Sequence, residues 1–149
     1  MNITDSTFDS PDSLMITQKY SYTGLAQFSF TNSLLNNLVF QKFGNVILLT
    51  HNSITPVLIQ AVTFSNIYGA GITLEPQDIF TTTNPLSLTI SQSTFKDCTP
   101  YVSGFIDVYE NSVLTIDTST FTNLFSIGSG SVILGNYKQN LITIRNSTF

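Results

Sequence analysis

Asp117 and Arg145 are the two residues whose types and spacing could best support a catalytic role. Each stands four residues before a phenylalanine of a recurring phrase, Phe121 for the aspartate and Phe149 for the arginine. If these phrases stack in register, the two side chains face each other as an exposed ion pair worth ~0–1 kcal/mol. Hydrolysis by carboxyl groups needs a second carboxyl group, and the same position in the other repeats supplies none. We therefore predict a surface ion pair and keep Asp117 and Arg145 as the catalytic candidates.

The histidine and the cysteine offer little further chemistry. His51 is the single histidine and falls in a polar turn, so a metal site would need ligands from elsewhere, and we expect neither metal nor cofactor. Cys98 occupies a position that Phe43, Ile67 and Leu124 fill in other repeats. We interpret it as a buried small apolar residue rather than a nucleophile. A lone cysteine excludes an internal disulfide and leaves the redox compartment open.

Two further patterns concern modification and binding. Asn2 and Asn146 each begin an Asn-x-Thr triplet, an acceptor pattern for N-glycosylation, which is compatible with an extracellular protein. A threonine run at 81–83 is suggestive of an array that binds ice or a mineral surface, but it falls in a predicted loop. Tyrosine rings could serve sugar binding, although in linkers they commonly cover a coil edge, so the carbohydrate-binding residues stay unassigned. The tyrosines are Tyr20, Tyr22, Tyr68, Tyr101, Tyr109 and Tyr137.

The strands and bends that position these residues follow from one repeated sequence motif, which we call the phrase. It consists of an aliphatic residue, four mostly polar residues and a phenylalanine. The anchor phenylalanines are 32, 24, 31, 26 and 28 residues apart, and self-similarity at such a period indicates a stacked repeat architecture. The anchors are Phe8, Phe40, Phe64, Phe95, Phe121 and Phe149. The predicted core ladder also contains Ile59, Ile90, Ile116 and Ile144.

Each repeat predicts two or three short strands around a bend, with no helical pattern. Leu114-x-Ile116 alternates apolar and polar residues with the period of a strand that buries one face. After the isoleucine the phase slips, which fits a bend that keeps both arms facing one core. Asn66 and Asp97 come two residues after their anchors, in a turn that suits residues tolerating left-handed dihedrals. A second strand then opens on a small residue such as Gly104, which permits close backbone approach.

These repeats cannot bury their apolar faces alone, so they must stack. We predict an all-β fold, a parallel β-helix (β-solenoid) of about five to six coils, in one domain over residues 1–149. Residues 9–34 are the least regular, and we interpret them as a first coil with an insertion, with two complete coils as the alternative. An up-and-down β-sandwich stays open as a second fold. Because both ends fall within the phrase, we expect a segment of a longer repeat array.

The repeat resembles those of right-handed parallel β-helices of the pectin-lyase-like superfamily. The likeness rests on Phe64-Ser-Asn66 with Gly69-Ala-Gly71-Ile72, and on Phe121-Thr-Asn123 with Gly128-Ser-Gly130. The pattern is similar to that of polymorphic-outer-membrane-type surface proteins and of protist surface repeat proteins, although the asparagine follows the phenylalanine at two residues rather than three. The superfamily includes polysaccharide lyases and hydrolases, so the resemblance implies carbohydrate chemistry as one possible function.

The low charge of the chain excludes some classes of binding partner. Only 9% of the 149 residues are charged and the net charge is −4, so the five basic residues cannot neutralise a row of phosphates. We therefore expect neither nucleic acid nor an anionic membrane surface as a partner. No apolar stretch approaches the length of a membrane span, and residues 1–8 lack the features of a signal peptide.

These observations favour a non-catalytic extracellular or cell-surface repeat module with a structural, adhesive or scaffold role. The alternative is a carbohydrate-active β-helix enzyme, a polysaccharide lyase or glycoside hydrolase, or its carbohydrate-binding remnant. An ice or mineral binder is a third hypothesis. The partner stays unassigned, with a carbohydrate or another surface protein as candidates, and exposed strand edges would favour edge-to-edge self-association.

Overall fold

The computed structural model describes residues 2–9, 16–18, 29–49, 57–75, 85–100, 104–126, 132–135 and 140–149. Within these ranges the secondary structure consists of short strands with bends and turns. The strands are β1 (Asn2–Thr4), β2 (Thr7–Asp9), β3 (Ile16–Gln18), β4 (Ser29–Thr31), β5 (Leu34–Asn36), β6 (Val39–Leu49), β7 (Val57–Gln60), β8 (Thr63–Ser65), β9 (Tyr68–Leu74), β10 (Leu86–Ser91), β11 (Thr94–Lys96), β12 (Ile106–Val108), β13 (Ser112–Asp117), β14 (Thr120–Thr122), β15 (Ile133–Gly135) and β16 (Leu141–Arg145).

The strands form three parallel sheets, and consecutive strands along the chain belong to sheets 1, 2 and 3 in turn. Sheet 1 has the order β1-β4-β7-β10-β13-β16, sheet 2 the order β14-β11-β8-β5-β2, and sheet 3 the order β15-β12-β9-β6-β3. The chain thus passes through sheets 1, 2 and 3 and returns beside its previous pass, and we call each pass a rung. The pairings are parallel throughout the described strands. This confirms the predicted all-β parallel β-solenoid and rules against the up-and-down sandwich, whose neighbouring strands are antiparallel.

The core of sheet 2 is a column of phenylalanine rings. Phe95 lies in register between Phe64 and Phe121, and its ring stacks on theirs with centroid distances of 4.8 and 4.7 Å. Phe105 of the same rung meets Phe95 edge to face at 5.5 Å. Such aromatic contacts add about 0.5–1.5 kcal/mol each beyond their area burial. Phe149 extends the stack at 4.7 Å from Phe121.

Sheet 1 supplies the second column of the core. Ile90 pairs in register with Ile59 on one side and Ile116 on the other, and all three are fully buried. Ile144 follows Ile116 in the same column and is 44% exposed because it lies on the last rung. Each fully buried isoleucine contributes roughly 1.5–3 kcal/mol relative to an exposed one.

The prediction that Phe40 belongs to the core ladder of the second rung is wrong. Leu35, not Phe40, pairs with Phe64 on one side and with Phe8 on the other. Phe30 fills the position that isoleucine holds elsewhere, since it pairs with Ile3 and Ile59. The aliphatic and aromatic residues have exchanged places, and the Phe30 ring meets Phe8 and Phe64 edge to face at 6.1 and 6.4 Å. The exchange conserves core volume, which a close-packed interior tolerates.

The first bend joins sheet 1 to sheet 2 through two residues in every rung, and the first of them is left-handed. Its φ lies between 49° and 53° in each case. L-residues other than glycine, asparagine and aspartate rarely adopt this conformation, which costs roughly 1–2 kcal/mol. The left-handed residues of the first bend are Asp5, Asn32, Ala61, Gln92, Thr118 and Asn146. This geometry explains the slip of phase that the sequence shows after each isoleucine.

The second residue of the first bend is a serine in every rung except one, and these serines form a ladder. The Ser93 amide donates to the Ser119 hydroxyl oxygen at 3.2 Å, and that hydroxyl donates to the carbonyl of Asp117 at 2.9 Å. The Ser119 amide repeats the contact with Ser147 at 3.1 Å. Val62 replaces the serine in the third rung, yet its amide still donates to Ser93 at 3.2 Å. The ladder therefore satisfies amides at the corner of the core.

The second bend leaves sheet 2 through another left-handed residue. Here the residues are Asn37, Asn66, Asp97 and Asn123, with φ between 52° and 54°, which confirms the turn predicted for asparagine and aspartate. Each is followed by an apolar residue that points into the core. In the second rung this residue is Leu38, 1% exposed, and not Phe43 as the sequence suggested.

Sheet 3 approaches its neighbours closely through glycines. A Cβ placed on Gly71 would collide with the carbonyl oxygen of Phe105, which accepts a hydrogen bond from Ile72. A Cβ on Gly104 would lie 2.7 Å from the Leu134 backbone nitrogen. The close backbone approach expected of Gly104 is therefore confirmed. A register shift between Asn45 and Ile47 moves the paired positions of β6 by one residue.

Most of the irregular segment 9–34 lies outside the described residues. Within it, β3 joins sheet 3 beside β6, and β4 joins sheet 1 beside β1. The segment thus contributes one strand to the first rung and begins the second rung at Ser29.

Candidate functional site

The outer face of sheet 1 carries the two catalytic candidates on neighbouring strands. The register pairs Asp117 of β13 with Arg145 of β16. The Asp117 carboxylate, however, accepts hydrogen bonds from the Asn146 side-chain amide at 3.1 Å and the Thr118 hydroxyl at 3.2 Å. Among the described residues, the ion pair within 4.0 Å is that of Lys96 and Asp97, at 3.6 Å. The predicted Asp117–Arg145 ion pair is therefore wrong, because neutral donors of the bend take up the carboxylate oxygen.

Within the described part of the chain, no group of three metal-binding side chains includes Asp117. Asp107 lies on β12 in sheet 3, buried to 7% exposure, while Asp117 lies on β13 in sheet 1. Within the described ranges, no three histidine, cysteine or carboxylate side chains come close enough to hold a metal ion. Acid and base catalysis by a carboxyl pair requires two carboxyl groups beside one substrate bond. Among the described strands of sheet 1, the outer face supplies one carboxyl group, that of Asp117.

Cys98 is buried in the core column that follows the second bend. Its side chain has 0% exposure and its sulfur lies 3.2 Å from the Lys96 carbonyl oxygen. Burial raises the pKa of the Cys98 thiol to about 11, opposed by backbone hydrogen bonds. A thiol with a raised pKa and no solvent access is a poor nucleophile, which confirms its interpretation as a small apolar core residue.

The outer face of sheet 2 presents a column of threonines that the sequence patterns had not singled out. Thr94 pairs with Thr63 and Thr120, and an isolated bridge continues the column to Thr148. Their hydroxyls make no hydrogen bond to another described side chain or carbonyl, whereas their amides serve the parallel ladder. Parallel strands lie about 4.8 Å apart, so the column is a regular row of hydroxyl and methyl groups. Leu34 replaces threonine in the second rung.

A second row, which we call the corner column, follows the second bend. It consists of Val39, Tyr68, Thr99 and Phe125, aligned by the pairings of Tyr68 with Val39 and Thr99 and by a hydrogen bond from the Phe125 amide to the Cys98 carbonyl. Phe125 is 66% exposed and Tyr68 41% exposed. The two rings stand two rungs apart, or about 9.6 Å. Each member follows its anchor position by four residues, a sequence signal that points to this column.

Between the threonine row and the corner column runs a line of side-chain amides and carboxylates. Asn66 donates to the side-chain oxygens of Asn36 and Asn37 at 3.1 and 3.3 Å. Asn123 donates to the Asp97 carboxylate at 2.9 Å. These contacts join successive rungs on the solvent side, so the polar groups between the two rows are held in fixed positions.

Other candidates from the sequence fall partly outside the described residues. His51, the threonines at 81–83, and four of the tyrosines (Tyr20, Tyr22, Tyr101 and Tyr137) lie in ranges that are not described. Asn146 is exposed in the first bend and donates to Asp117. Asn2 begins β1. The part of the chain that is described holds no helix long and apolar enough to cross a membrane.

Comparison of the sequence with protein-family models and curated proteins, and of the structure with solved structures, finds no significant match.

Proposed function

We propose that this chain is a non-catalytic module of an extracellular or cell-surface protein, with a structural, adhesive or scaffold role. It would be a right-handed solenoid related to the pectin-lyase-like superfamily. The right hand is the one that nearly all parallel β-crossover-β connections take, and the repeat motif supports the relationship.

The observation that carries this proposal is the continuity of the ladders from rung to rung. The phenylalanine stack, the isoleucine column and the serine ladder each run through successive rungs. On the solvent side, hydrogen bonds from asparagine side-chain amides also join neighbouring rungs. A stack in which every rung contacts only its neighbours is quasi-one-dimensional and lengthens as rungs are added, which suits a spacer or a scaffold.

A depolymerisation screen against pectins, alginates and glucans tests the non-catalytic part of the proposal. We expect neither new reducing ends nor unsaturated products from any polymer. Depolymerisation that Asp117→Asn abolishes, while Thr120→Val retains it, would replace this proposal with the enzyme alternative. Thr120→Val is a matched control because it removes an exposed hydroxyl from another sheet without touching Asp117.

Recovery of the protein from its native source tests the extracellular address. Asn146 is exposed, so passage through a secretory pathway that glycosylates proteins should add a glycan there. We expect a mass increase on the peptide that contains Asn146, removable by a glycosidase. Surface biotinylation of intact cells gives an independent measurement, and exclusive recovery from the cell interior would contradict the address.

The corner column favours carbohydrate binding as a second candidate function. Exposed Tyr68 and Phe125 could stack on sugar rings of an extended neutral polysaccharide. The Asn123 side-chain amide gives one N–H to Asp97 and can donate the other to a sugar hydroxyl. Affinity electrophoresis in gels that contain each polymer measures this binding. We expect Phe125→Ala to weaken it by about tenfold, equivalent to about 1.4 kcal/mol, and Thr120→Val to leave it unchanged. Equal mobility with and without every polymer would remove this second candidate.

A further inference from the structure

The corner column places two exposed aromatic rings at a spacing that the core sets. Tyr68 is 41% exposed and Phe125 66% exposed, and Thr99 stands on the rung between them. Parallel strands lie about 4.8 Å apart, so the two rings are about 9.6 Å apart along the solenoid axis. The phenylalanine stack of sheet 2 joins the same three rungs at centroid distances of 4.8 and 4.7 Å. The packing of the interior therefore maintains the spacing of the exposed rings.

The asparagines beside the two rings offer complementary hydrogen-bonding groups. Asn66, two residues before Tyr68, gives both of its side-chain N–H groups to asparagines of the preceding rung, which leaves its side-chain oxygen as an acceptor. Asn123, two residues before Phe125, gives one N–H to Asp97 and keeps the other as a donor. Because a hydroxyl group both donates and accepts, either asparagine can bind a sugar hydroxyl.

We infer that the corner column binds a neutral β-1,4-linked polysaccharide, of the glucan or mannan type, that lies along the solenoid axis. This inference rests on the carbohydrate-binding candidate proposed above and specifies its ligand. In an extended β-1,4-linked chain each pyranose ring is turned over relative to the one before it. Rings two apart therefore present the same face in a straight line, and their separation is about that of two rungs. Tyr68 and Phe125 can each stack on one of these rings.

Thr99 lies where the intervening sugar ring would pass. Its side chain is half-buried, and its hydroxyl makes no hydrogen bond within the described part of the chain. A threonine is shorter than an aromatic residue, so it leaves room for a ring that faces the opposite way. Its hydroxyl can bond to that ring. The order of aromatic, small polar and aromatic residues in the column thus matches the alternating faces of the polymer.

Other polysaccharides match the column less well. Glucans with α-1,4 or β-1,3 linkages coil, so their rings two apart do not lie in a straight line with the same face toward the protein. Polyuronates carry a carboxylate on each ring. The Asp97 carboxylate beside the column is balanced by Lys96 at 3.6 Å, and the chain as a whole carries a charge of −4. An acidic polymer would therefore be repelled rather than attracted.

Affinity electrophoresis of the folded chain tests the linkage and the charge of the ligand. The gels contain glucomannan or hydroxyethylcellulose as neutral β-1,4-linked polymers, laminarin as a β-1,3-linked polymer, soluble starch as an α-1,4-linked polymer, and polygalacturonate as a polyuronate. We expect affinities for the first two polymers that are higher than those for the other three by about tenfold or more. Because uncharged groups make the contacts, added salt should leave the affinity for the neutral polymers unchanged.

Two variants test the spacing of the rings. Phe125→Ala removes one ring, whereas Phe125→Ala combined with Thr99→Tyr restores the number of rings at a spacing of one rung, about 4.8 Å. We expect both variants to bind glucomannan about tenfold more weakly than the wild type. Phe125→Tyr keeps the ring in place and should bind like the wild type. Thr120→Val changes the outer face of sheet 2 and is the control for an unrelated surface change. Circular dichroism checks that each variant keeps its strands.

The outcomes separate this inference from the candidate function on which it rests. Equal mobility in every gel removes carbohydrate binding and the inference together. Binding to laminarin, starch or polygalacturonate that is as tight as binding to glucomannan retains a carbohydrate-binding surface and overturns the β-1,4 assignment. Undiminished binding by Phe125→Ala, or recovery of wild-type affinity in the double variant, contradicts the role of the ring spacing. The comparison of polymers uses the unchanged chain, so it decides the assignment even where a variant does not fold.

Discussion

The first and second bends turn the chain with the same left-handed backbone and with different side chains. The second bend uses only asparagine and aspartate among its described members, whereas the first accepts alanine, glutamine and threonine as well. Asparagine and aspartate tolerate this conformation through local hydrogen bonds of their own side chains. The first bend has a further support, the serine ladder beneath it.

The difference teaches that a strained position can be stabilised by its own residue or by its neighbour. At the second bend the left-handed residue also links rungs, as Asn66 does to Asn37. At the first bend the following residue links the rungs, through a serine hydroxyl in most rungs and through the Val62 amide to Ser93 after Ala61. The left-handed residue can therefore vary, although Gln92 and Asn146 also bond the neighbouring rung. Strain at that position persists because the surrounding ladder determines the backbone.

The largest expected effect follows from removing one serine of the ladder. Ser119→Ala deletes the acceptor of the Ser93 amide in a buried corner, and an unsatisfied buried amide costs about 1–3 kcal/mol. We expect the free energy of unfolding, measured by denaturant titration, to fall by that amount. Thr120→Val is the matched control, because it removes an exposed hydroxyl from the next residue and should change stability by less than about 0.5 kcal/mol. Equal effects of the two changes would refute the role assigned to the ladder.

A smaller loss is expected at the second bend. Asn66→Ala places alanine at φ 52° and removes the amide contacts with Asn36 and Asn37. We expect a loss of about 1–2 kcal/mol, chiefly from the left-handed backbone. Asn36→Ala separates the two causes, since it removes only the exposed hydrogen bond and should cost about 0.5 kcal/mol. If Asn36→Ala costs as much as Asn66→Ala, side-chain bonding and not backbone preference dominates.

A gain in stability is expected where the first bend holds an unsuitable residue. Thr118 is β-branched and has φ 49°, a conformation that such residues adopt rarely. Thr118→Asn should raise the free energy of unfolding by about 1 kcal/mol, because asparagine occupies the same bend position at residue 146 with the same φ. Thermal unfolding monitored by circular dichroism measures the gain. A lower melting temperature would show that the Thr118 hydroxyl bond to Asp117 matters more than the strain.

The last effect is absent at neutral pH and concerns the thiol that follows the second bend. Burial raises the pKa of Cys98 from 9.0 to about 11, so the folded chain keeps a proton that the unfolded chain loses between these values. Stability should therefore fall as pH rises from about 9 toward about 11, with no contribution from this group below pH 9. Cys98→Val retains an apolar side chain and removes the titration. Denaturant titrations of both proteins at pH 8 and 10.5 should show a steeper loss for the wild type, and parallel losses would contradict the assignment.

The rung period and the turn residues could be predicted from the sequence because they recur as residue types. Asn66, Asp97 and Asn123 stand at a fixed distance from their anchors, and the backbone at each is left-handed as expected. Stacking of the rungs follows from strands too short to bury their faces alone, whereas two or three strands in each rung fitted the sequence equally well.

The second rung could not be predicted from anchor phenylalanines, since packing and not residue identity defines the ladder. Phe30 and Leu35 fill the core in exchanged positions, which a search for phenylalanine misses. Ser33 indicates the correct ladder residue, because it stands two residues before Leu35 as Ser93 stands two residues before Phe95.

The outer face was less predictable than the core. The ion pair expected of Asp117 and Arg145 failed because local donors from Thr118 and Asn146 compete for the carboxylate, and register alone does not rank such donors. The corner column escaped notice because Val39, Tyr68, Thr99 and Phe125 share a position but no chemical type.

The constant length of the first bend has a consequence for how this solenoid tolerates change. Two residues separate the strands of sheets 1 and 2 at every rung, whereas the connections into and out of sheet 3 differ in length from rung to rung. An inserted residue at the first bend would shift every side chain of the following strand to the opposite face. We therefore expect the connections to and from sheet 3 to accept inserted residues more readily than the first bend, because such insertions leave the pairing register of sheets 1 and 2 unchanged.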